Sequence, residues 1–131
     1  MADRVVDSDV LIDALRGVPA ANATLARLVR EMTVATTTIN LFELECGVET
    51  DEEHLRVREL LENLDLLPVD ALAAVEAAAI DRELRRHGRR IDTRDTLIAG
   101  VARSYDIPLV TRNRRHFDRI EGLRVEGLDP S

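Results

Sequence analysis

Short apolar runs alternate with longer amphipathic stretches along this chain. Arg4-Val5-Val6, followed by Asp7, predicts a short buried strand. Val10, Leu11 and Leu15 recur at helical spacing, so a helix is expected from about Ser8 to Gly17. Residues 20–31 repeat that pattern with Leu25, Leu28 and Val29 on one face. Thr33-Val34-Ala35-Thr36 is rich in β-branched residues and reads as a strand. Helices are expected from about Thr38 to Val48 and over residues 51–64, the latter acidic at its start and apolar at Leu55, Leu60, Leu61 and Leu64. Leu66-Leu67-Pro68-Val69 reads as a short strand or loop. Ala71 to Arg86 is alanine-rich and strongly helical, with a stop near Gly88. Residues 93–105 turn Leu97, Ile98, Val101 and Ala102 inward on another helix. Pro108-Leu109-Val110-Thr111 reads as a strand, Arg114–Phe117 as one helical turn, and Leu123-Arg124-Val125 as a last strand.

Strands this short and apolar, separated by helices, predict an α/β fold: a short, mostly parallel central sheet with helices on both faces. The sequence shows no internal repeat or linker, so residues 1–131 are expected to form one domain. In such sheets ligands bind at the carboxyl ends of the strands, near a switch in strand order. Asp7 closes the first strand and Glu43 sits early in the helix after the second. Asp95 opens the helix before the fourth strand, which Thr111 and Asn113 follow. All five fall on one sheet edge. Acids converging there repel one another, and a divalent cation relieves that repulsion. Hard oxygen ligands favour Mg²⁺ or Mn²⁺, and such ions with a positioned water can support in-line attack on a phosphodiester. Helix capping is the competing explanation for each acid alone. Asp7 could cap the first helix, and Asn40 with Glu43, like Asp92 with Asp95, has capping-box spacing. The shared edge favours a site.

Composition removes several other chemistries. All 18 basic residues are arginine, so there is no lysine for a P-loop, a Schiff base or an amine nucleophile. Cys46 is the single cysteine, which excludes an internal disulfide and a Cys-based zinc cluster. No apolar run approaches the roughly 20 residues of a membrane helix. The start, Met1-Ala2-Asp3-Arg4, has no secretory pattern, so a cytoplasmic location away from membranes is expected. The formal charge of −7 argues against a nucleic-acid partner until it is divided by position. Residues 1–81 hold 6 Arg against 17 acids, whereas residues 82–131 hold 12 Arg against 8 acids. Binding follows the local field, and Arg89, Arg90, Arg94, Arg112, Arg114 and Arg115 flank the later acidic positions as candidates for RNA phosphates. A solvated helix face paired with nearby acids is the alternative. The three aromatics, Phe42, Tyr105 and Phe117, are too few for base-stacking recognition; Phe42 and Phe117 are expected in the core, Cys46 in packing, and His116 on the surface.

Four segments carry a resemblance. Val5-Val6-Asp7-Ser8-Asp9-Val10-Leu11-Ile12-Asp13 looks like the opening of PIN domains, and Thr37-Thr38-Ile39-Asn40-Leu41-Phe42-Glu43-Leu44-Glu45-Cys46-Gly47 resembles their glutamate-bearing second motif. Asp95-Thr96-Leu97-Ile98-Ala99-Gly100 and Leu109-Val110-Thr111-Arg112-Asn113-Arg114-Arg115-His116-Phe117 resemble the third and fourth. In this order and length the chain is similar to the VapC toxins of VapBC toxin–antitoxin pairs. The resemblance implies a PIN-like three-layer sandwich and a Mg²⁺-dependent endoribonuclease, with Mn²⁺ as a substitute, usually dimeric and held inactive by a cognate VapB-type antitoxin. It places the first acid on Asp7, the glutamate on Glu43 and the third acid on Asp95. The fourth position, often an aspartate, falls on Asn113, which leaves one charged ligand fewer. Asp7 and Asp95 would then bind metal directly, with Glu43 acting through water or taking a proton from it. Thr111 would bond an acid or a phosphate oxygen. Ser8 could join the acid cluster, and Asp9 and Asp92 are supplementary acids.

Two rival readings remain. Asp7-Ser8-Asp9 has the two-aspartate spacing of haloacid-dehalogenase-like phosphatases, with Asp7 as covalent nucleophile, but such enzymes usually need a lysine; a receiver domain fails on the same ground. A non-catalytic PIN-fold binding module is the other, and the retained Asp7, Glu43 and Asp95 count against it.

Overall fold

A computed structural model describes residues 1–129 of the chain, so the last two residues of the expected 1–131 domain lie outside the described residues. Five strands form one sheet: β1 (Arg4–Val6), β2 (Val34–Thr37), β3 (Asp65–Leu67), β4 (Leu109–Val110) and β5 (Val125–Glu126). Their order is β3-β2-β1-β4-β5, and every neighbouring pair is parallel. Seven helices connect them: α1 (Ser8–Leu15), α2 (Pro19–Glu31), α3 (Thr38–Cys46), α4 (Asp51–Leu61), α5 (Ala71–Arg86), α6 (Thr93–Tyr105) and α7 (Arg114–Phe117).

The period of two in the central strands divides the core. Val6 and Val110 face a cluster with Val10, Leu11, Leu25, Leu28 and Leu44 from α1, α2 and α3. Their neighbours Val5 and Leu109 face the other way, onto Ile80, Leu84, Ile98, Ala102 and Phe117 from α5, α6 and α7. Helices thus cover both faces of a sheet whose two central strands bury Val5, Val6, Leu109 and Val110 between them. This is the expected three-layer arrangement, and its sheet is wholly parallel. Some boundaries differ from the sequence reading. The last strand is Val125–Glu126 rather than Leu123–Val125, because Leu109 pairs in register with Val125. α4 stops at Leu61 as residues 62–64 tighten into turns.

Helix ends follow local chemistry. Pro19 opens α2, where its missing N–H costs nothing. Gly17 and Gly88 take left-handed backbone (φ 79 and 64), which lets the chain turn after α1 and α5. The expected capping box of Asn40 and Glu43 is displaced by three residues. Thr37 is the N-cap of α3, its hydroxyl oxygen accepting from the N–H groups of Ile39 and Asn40, while Asn40 Oδ1 accepts from the Thr37 N–H. Asp92 caps α6 through the N–H of Arg94 rather than that of Asp95.

α5 and α6 approach closely because small residues line the seam. A Cβ at Gly100 would stand 2.7 Å from the Ala73 carbonyl oxygen and 2.7 Å from the Ala77 Cβ. Backbone cannot yield as a side-chain tip can, so Gly100→Ala is expected to lower stability by about 1–3 kcal/mol. A lower urea midpoint at unchanged slope would register it; an unchanged midpoint would mean that the seam opens freely.

Candidate active site

The strand order fixes where the site lies. The chain builds β1, β2 and β3 in one direction, then returns past β1 to lay down β4 and β5 on its other side. The switch in direction therefore falls between β1 and β4, and the crevice at their carboxyl ends is where parallel sheets bind ligands. Asp7 follows β1 and Thr111 follows β4, so both stand at this point. Asp7 is 6% exposed and Thr111 wholly buried. Glu43 comes from the second turn of α3, Asp95 from the first turn of α6, and Asn113 from the N-cap of α7.

Asp7 is both a helix cap and a member of the acid cluster. Its Oδ1 accepts from the Ser8 N–H at 2.8 Å and from Asn40 Nδ2 at 3.1 Å. Its Oδ2 accepts from the Thr111 hydroxyl at 2.8 Å. Asp9 Oδ2 lies 3.3 Å from that hydroxyl and accepts from the Arg112 N–H at 3.0 Å. Ser8 donates its hydroxyl to Glu43 Oε1 at 2.8 Å, which ties the β1 end to α3. Asn113 Nδ2 stands 2.9 Å from His116 Nδ1, and that ring nitrogen is 4.0 Å from Asp95 Oδ2. Asp95 and Glu43 share a field with Arg94, whose Nη1 is 3.8 Å from Glu43 Oε2. Asp92 is exposed, holds Arg94, and raises the Asp95 carboxyl as a neighbouring charge.

The electrostatics follow from this crowding. Burial first, then the negative charge of Asp9 and of Asp95, push the Asp7 carboxyl up to about 7 against the lowering effect of its hydrogen bonds. Burial also raises Asp9. Asp95 is raised by burial, then by Asp92 and Glu43. Among the described residues no three His, Cys, Asp or Glu side chains stand close enough to share one ion. Mg²⁺ takes only one or two carboxylates and keeps several waters. The donors here are hard oxygens, and Asp9 Oδ1 is buried without a hydrogen-bond partner. The donor set fits such an ion.

The arginines divide into two groups. Arg90 pairs with Asp81, Arg94 with Asp92, and Arg112 with the buried carboxylate of Asp13. Arg89, Arg114 and Arg115 are exposed and form no ion pair among the described residues. Three expectations are corrected. Phe42 is 57% exposed, not core, since it lies on the outer side of α3. Cys46 is exposed at the end of that helix. Of the apolar positions on α4 and just after it, Leu60, Leu61 and Leu64 pack on the core, whereas Leu55 is exposed. His116 keeps the expected surface position, and its ring also stands beside Asp95; its three-residue spacing from Asn113 on α7 is the signal for it. From sequence Asn40 has only a capping role; the structure buries it fully and joins its amide to Asp7 and Ser8, contacts that no sequence spacing signals.

Fold and site together define an α/β protein with an acidic switch-point crevice. The PIN domain family model matches residues 4–123, and the chain belongs to the PIN domain family. It is 34% identical over 126 residues to the tRNA(fMet)-specific endonuclease VapC of Shigella flexneri, covering 93% of this chain and 95% of that protein. It is 37% identical over 120 residues to ribonuclease VapC10 of Mycobacterium tuberculosis, covering 92% and 90%. The solved structure of DNA-bound VapBC from Salmonella typhimurium superposes with a TM-score of 0.86 at 26% identity, covering 97% of this chain and 98% of that one.

The raised Asp7 carboxyl makes stability depend on pH. The folded state holds this proton up to about 7 while an unfolded aspartate loses it near 3.9, so the folded state is penalised progressively as pH rises through that window. Asp7→Asn keeps an oxygen for the Ser8 and Asn40 donors and removes the charge. In chelator at pH 8 it is expected to be more stable than the parent by roughly 2–4 kcal/mol, with the difference vanishing near pH 4. Thermal melts across that range check it; equal melts at pH 8 would refute it.

Proposed function

We propose that the chain is an endoribonuclease, the toxin of a type II toxin–antitoxin pair, which hydrolyses RNA phosphodiester bonds at the edge formed by Asp7, Glu43 and Asp95. The observation that carries this reading is the acid cluster at the switch point of a PIN-family sheet, in which burial and neighbouring negative charge raise the carboxyls of Asp7 and Asp95. The relatives' names, endonuclease and ribonuclease, support the same reaction. Asp7 and Asp95 would hold Mg²⁺ or Mn²⁺, with Glu43 reaching it through water; the cation would offset the carboxylates' repulsion and the charge gathering on the scissile phosphate.

The chain's own groups do the rest. Thr111 holds Asp7 Oδ2 and keeps Asp9 beside it. Glu43 Oε1 is engaged by Ser8, which leaves Oε2 to take a proton from the attacking water. Asn113 supplies a neutral carboxamide where a fourth acid could stand. Arg89, Arg114 and Arg115, free of acid partners, face the phosphates of the RNA backbone. A phosphatase reading finds no support, since both Asp7 oxygens are engaged in hydrogen bonds and the chain has no lysine.

The partners follow from two surfaces. A groove of about 350 Å³ lined by Ile12, Leu15, Leu44, Val48 and Val57 opens beside Glu43 and suits an apolar segment of a VapB-type antitoxin. Phe42, Leu66, Leu72 and Val75 are exposed on α3, β3 and α5, and we assign this apolar surface to a second copy of the chain. The protein works as one domain in the cytoplasm, and no helix among the described residues is long and apolar enough to cross a membrane.

Purified protein, freed of antitoxin, is expected to cleave RNA with Mg²⁺ or Mn²⁺ and to stop on addition of EDTA. Asp7→Asn, Glu43→Gln and Asp95→Asn should each lower kcat by about 10²-fold or more with unchanged circular dichroism. Full activity in all three variants would remove the assignment, and a stable phosphoryl adduct on Asp7 would replace it with the phosphatase. For the dimer, Val75→Arg is expected to halve the mass seen by light scattering; an unaltered mass would place the interface elsewhere.

A further inference from the structure

We propose that Asn40 is a positioning residue that sets where Glu43 points, acting through the hydroxyl of Ser8. Asn40 is fully buried on α3, between the end of β1 and the start of its own helix. Its Oδ1 accepts twice from Thr37, from the N–H at 3.1 Å and the hydroxyl at 2.8 Å. Its Nδ2 donates to Asp7 Oδ1 at 3.1 Å and to Ser8 Oγ at 2.7 Å. The orientation of this amide is fixed. Turned over, it would set its NH₂ against two donors and its oxygen against the Asp7 carboxylate.

A direction runs from this amide through the next two groups. Ser8 Oγ accepts from Asn40, so its single proton is left for the neighbouring acceptor, Glu43 Oε1, 2.8 Å away. With Oε1 held, Glu43 Oε2 stands 3.8 Å from Arg94 Nη1, too far for a hydrogen bond. One buried carboxamide thus connects the β1 acid to the α3 acid and orients both without touching a reacting atom. This rests on the proposed function only for its kinetic consequence; the geometry stands apart from it.

Two variants break the chain in different ways. Ser8→Ala removes the hydroxyl. Asn40→Asp is isosteric, but it offers Ser8 an acceptor, so the Ser8 proton turns toward residue 40 and Glu43 loses its donor; it also sets a carboxylate oxygen against Asp7 Oδ1, so Ser8→Ala is the variant that isolates the connection. Each is expected to lower kcat for RNA cleavage by roughly 10–100-fold, the scale on which misplaced catalytic groups act, with KM within about twofold. The double variant should be no slower than the slower single one, since both cut the same connection. Multiplying losses, or wild-type kcat in Ser8→Ala, would overturn the proposal. A crystal structure of Ser8→Ala supplies a readout independent of activity: Glu43 is expected to swing toward Arg94, and an unmoved Glu43 would also overturn it. If the parent protein cleaves no RNA, the proposed function fails while crystal structures of Ser8→Ala and Asn40→Asp still decide whether Asn40 orients Glu43 through Ser8: Glu43 displaced in both supports it, and Glu43 unmoved in either overturns it.

Discussion

The burial of one carboxylate governs the organisation of this protein. Asp7 stands at the point where the sheet reverses its strand order, almost wholly out of water, with Asp9 beside it and Asp95 in its field. Three donors converge on it, and they are not enough to bring its proton affinity down to that of an ordinary aspartate. Perturbed carboxyls of this kind gather at functional sites, where the surrounding structure serves something besides stability. The neighbouring arrangements, from the Thr111 hydroxyl to the Asn40 amide, are ways of holding a negative group where the isolated fold would keep it protonated.

Helix capping and membership of the acid cluster are not alternatives here. The sequence allows each acid to be explained either as a helix cap or as a member of a site. Asp7 caps α1 and belongs to the acid cluster at once, with one oxygen on the first N–H of α1 and the other on Thr111. Thr37 caps α3 and, through Asn40, fixes the acid cluster as well. The reason is geometric. Helices in a parallel sheet begin at the carboxyl ends of strands, so their unsatisfied N–H groups and the ligand crevice occupy the same edge. Polar residues recruited there for capping already lie within reach of one another.

Much of the architecture was legible because it depends on periodicity. The opposite facing of Val5 and Val6, and of Leu109 and Val110, follows from the strand repeat, and the helical stripes in α1, α2, α5 and α6 follow from the 3.6 repeat. The edge on which Asp7, Glu43, Asp95 and Asn113 collect was legible from topology for the same reason. What escaped was contact across elements. Nothing in the spacing of Asn40 says that its amide reaches Ser8, 32 residues away in sequence. Phe42 reads as core on composition, yet its place on α3 leaves it 57% exposed. Hydrophobicity predicts that a residue will be covered, not by which chain.

The arginine count overstates the field available to a polyanion, and the structure says by how much. Arg90, Arg94 and Arg112 each stand against a carboxylate, and Arg112 is held by a buried one, so its charge is largely cancelled at a distance. Arg89, Arg114 and Arg115 keep theirs, with the latter two on the turn of helix that carries His116 toward Asp95. An ion-paired guanidinium still has donors to spare, because it carries five in a planar fork. Paired arginines can thus contribute short-range contacts to a phosphate while the unpaired ones supply the long-range attraction. Such a division suits a crevice that is itself acidic. A uniformly basic rim would pair with Asp7 and Asp95 directly, whereas arginines already anchored to Asp13, Asp81 and Asp92 leave those carboxylates open.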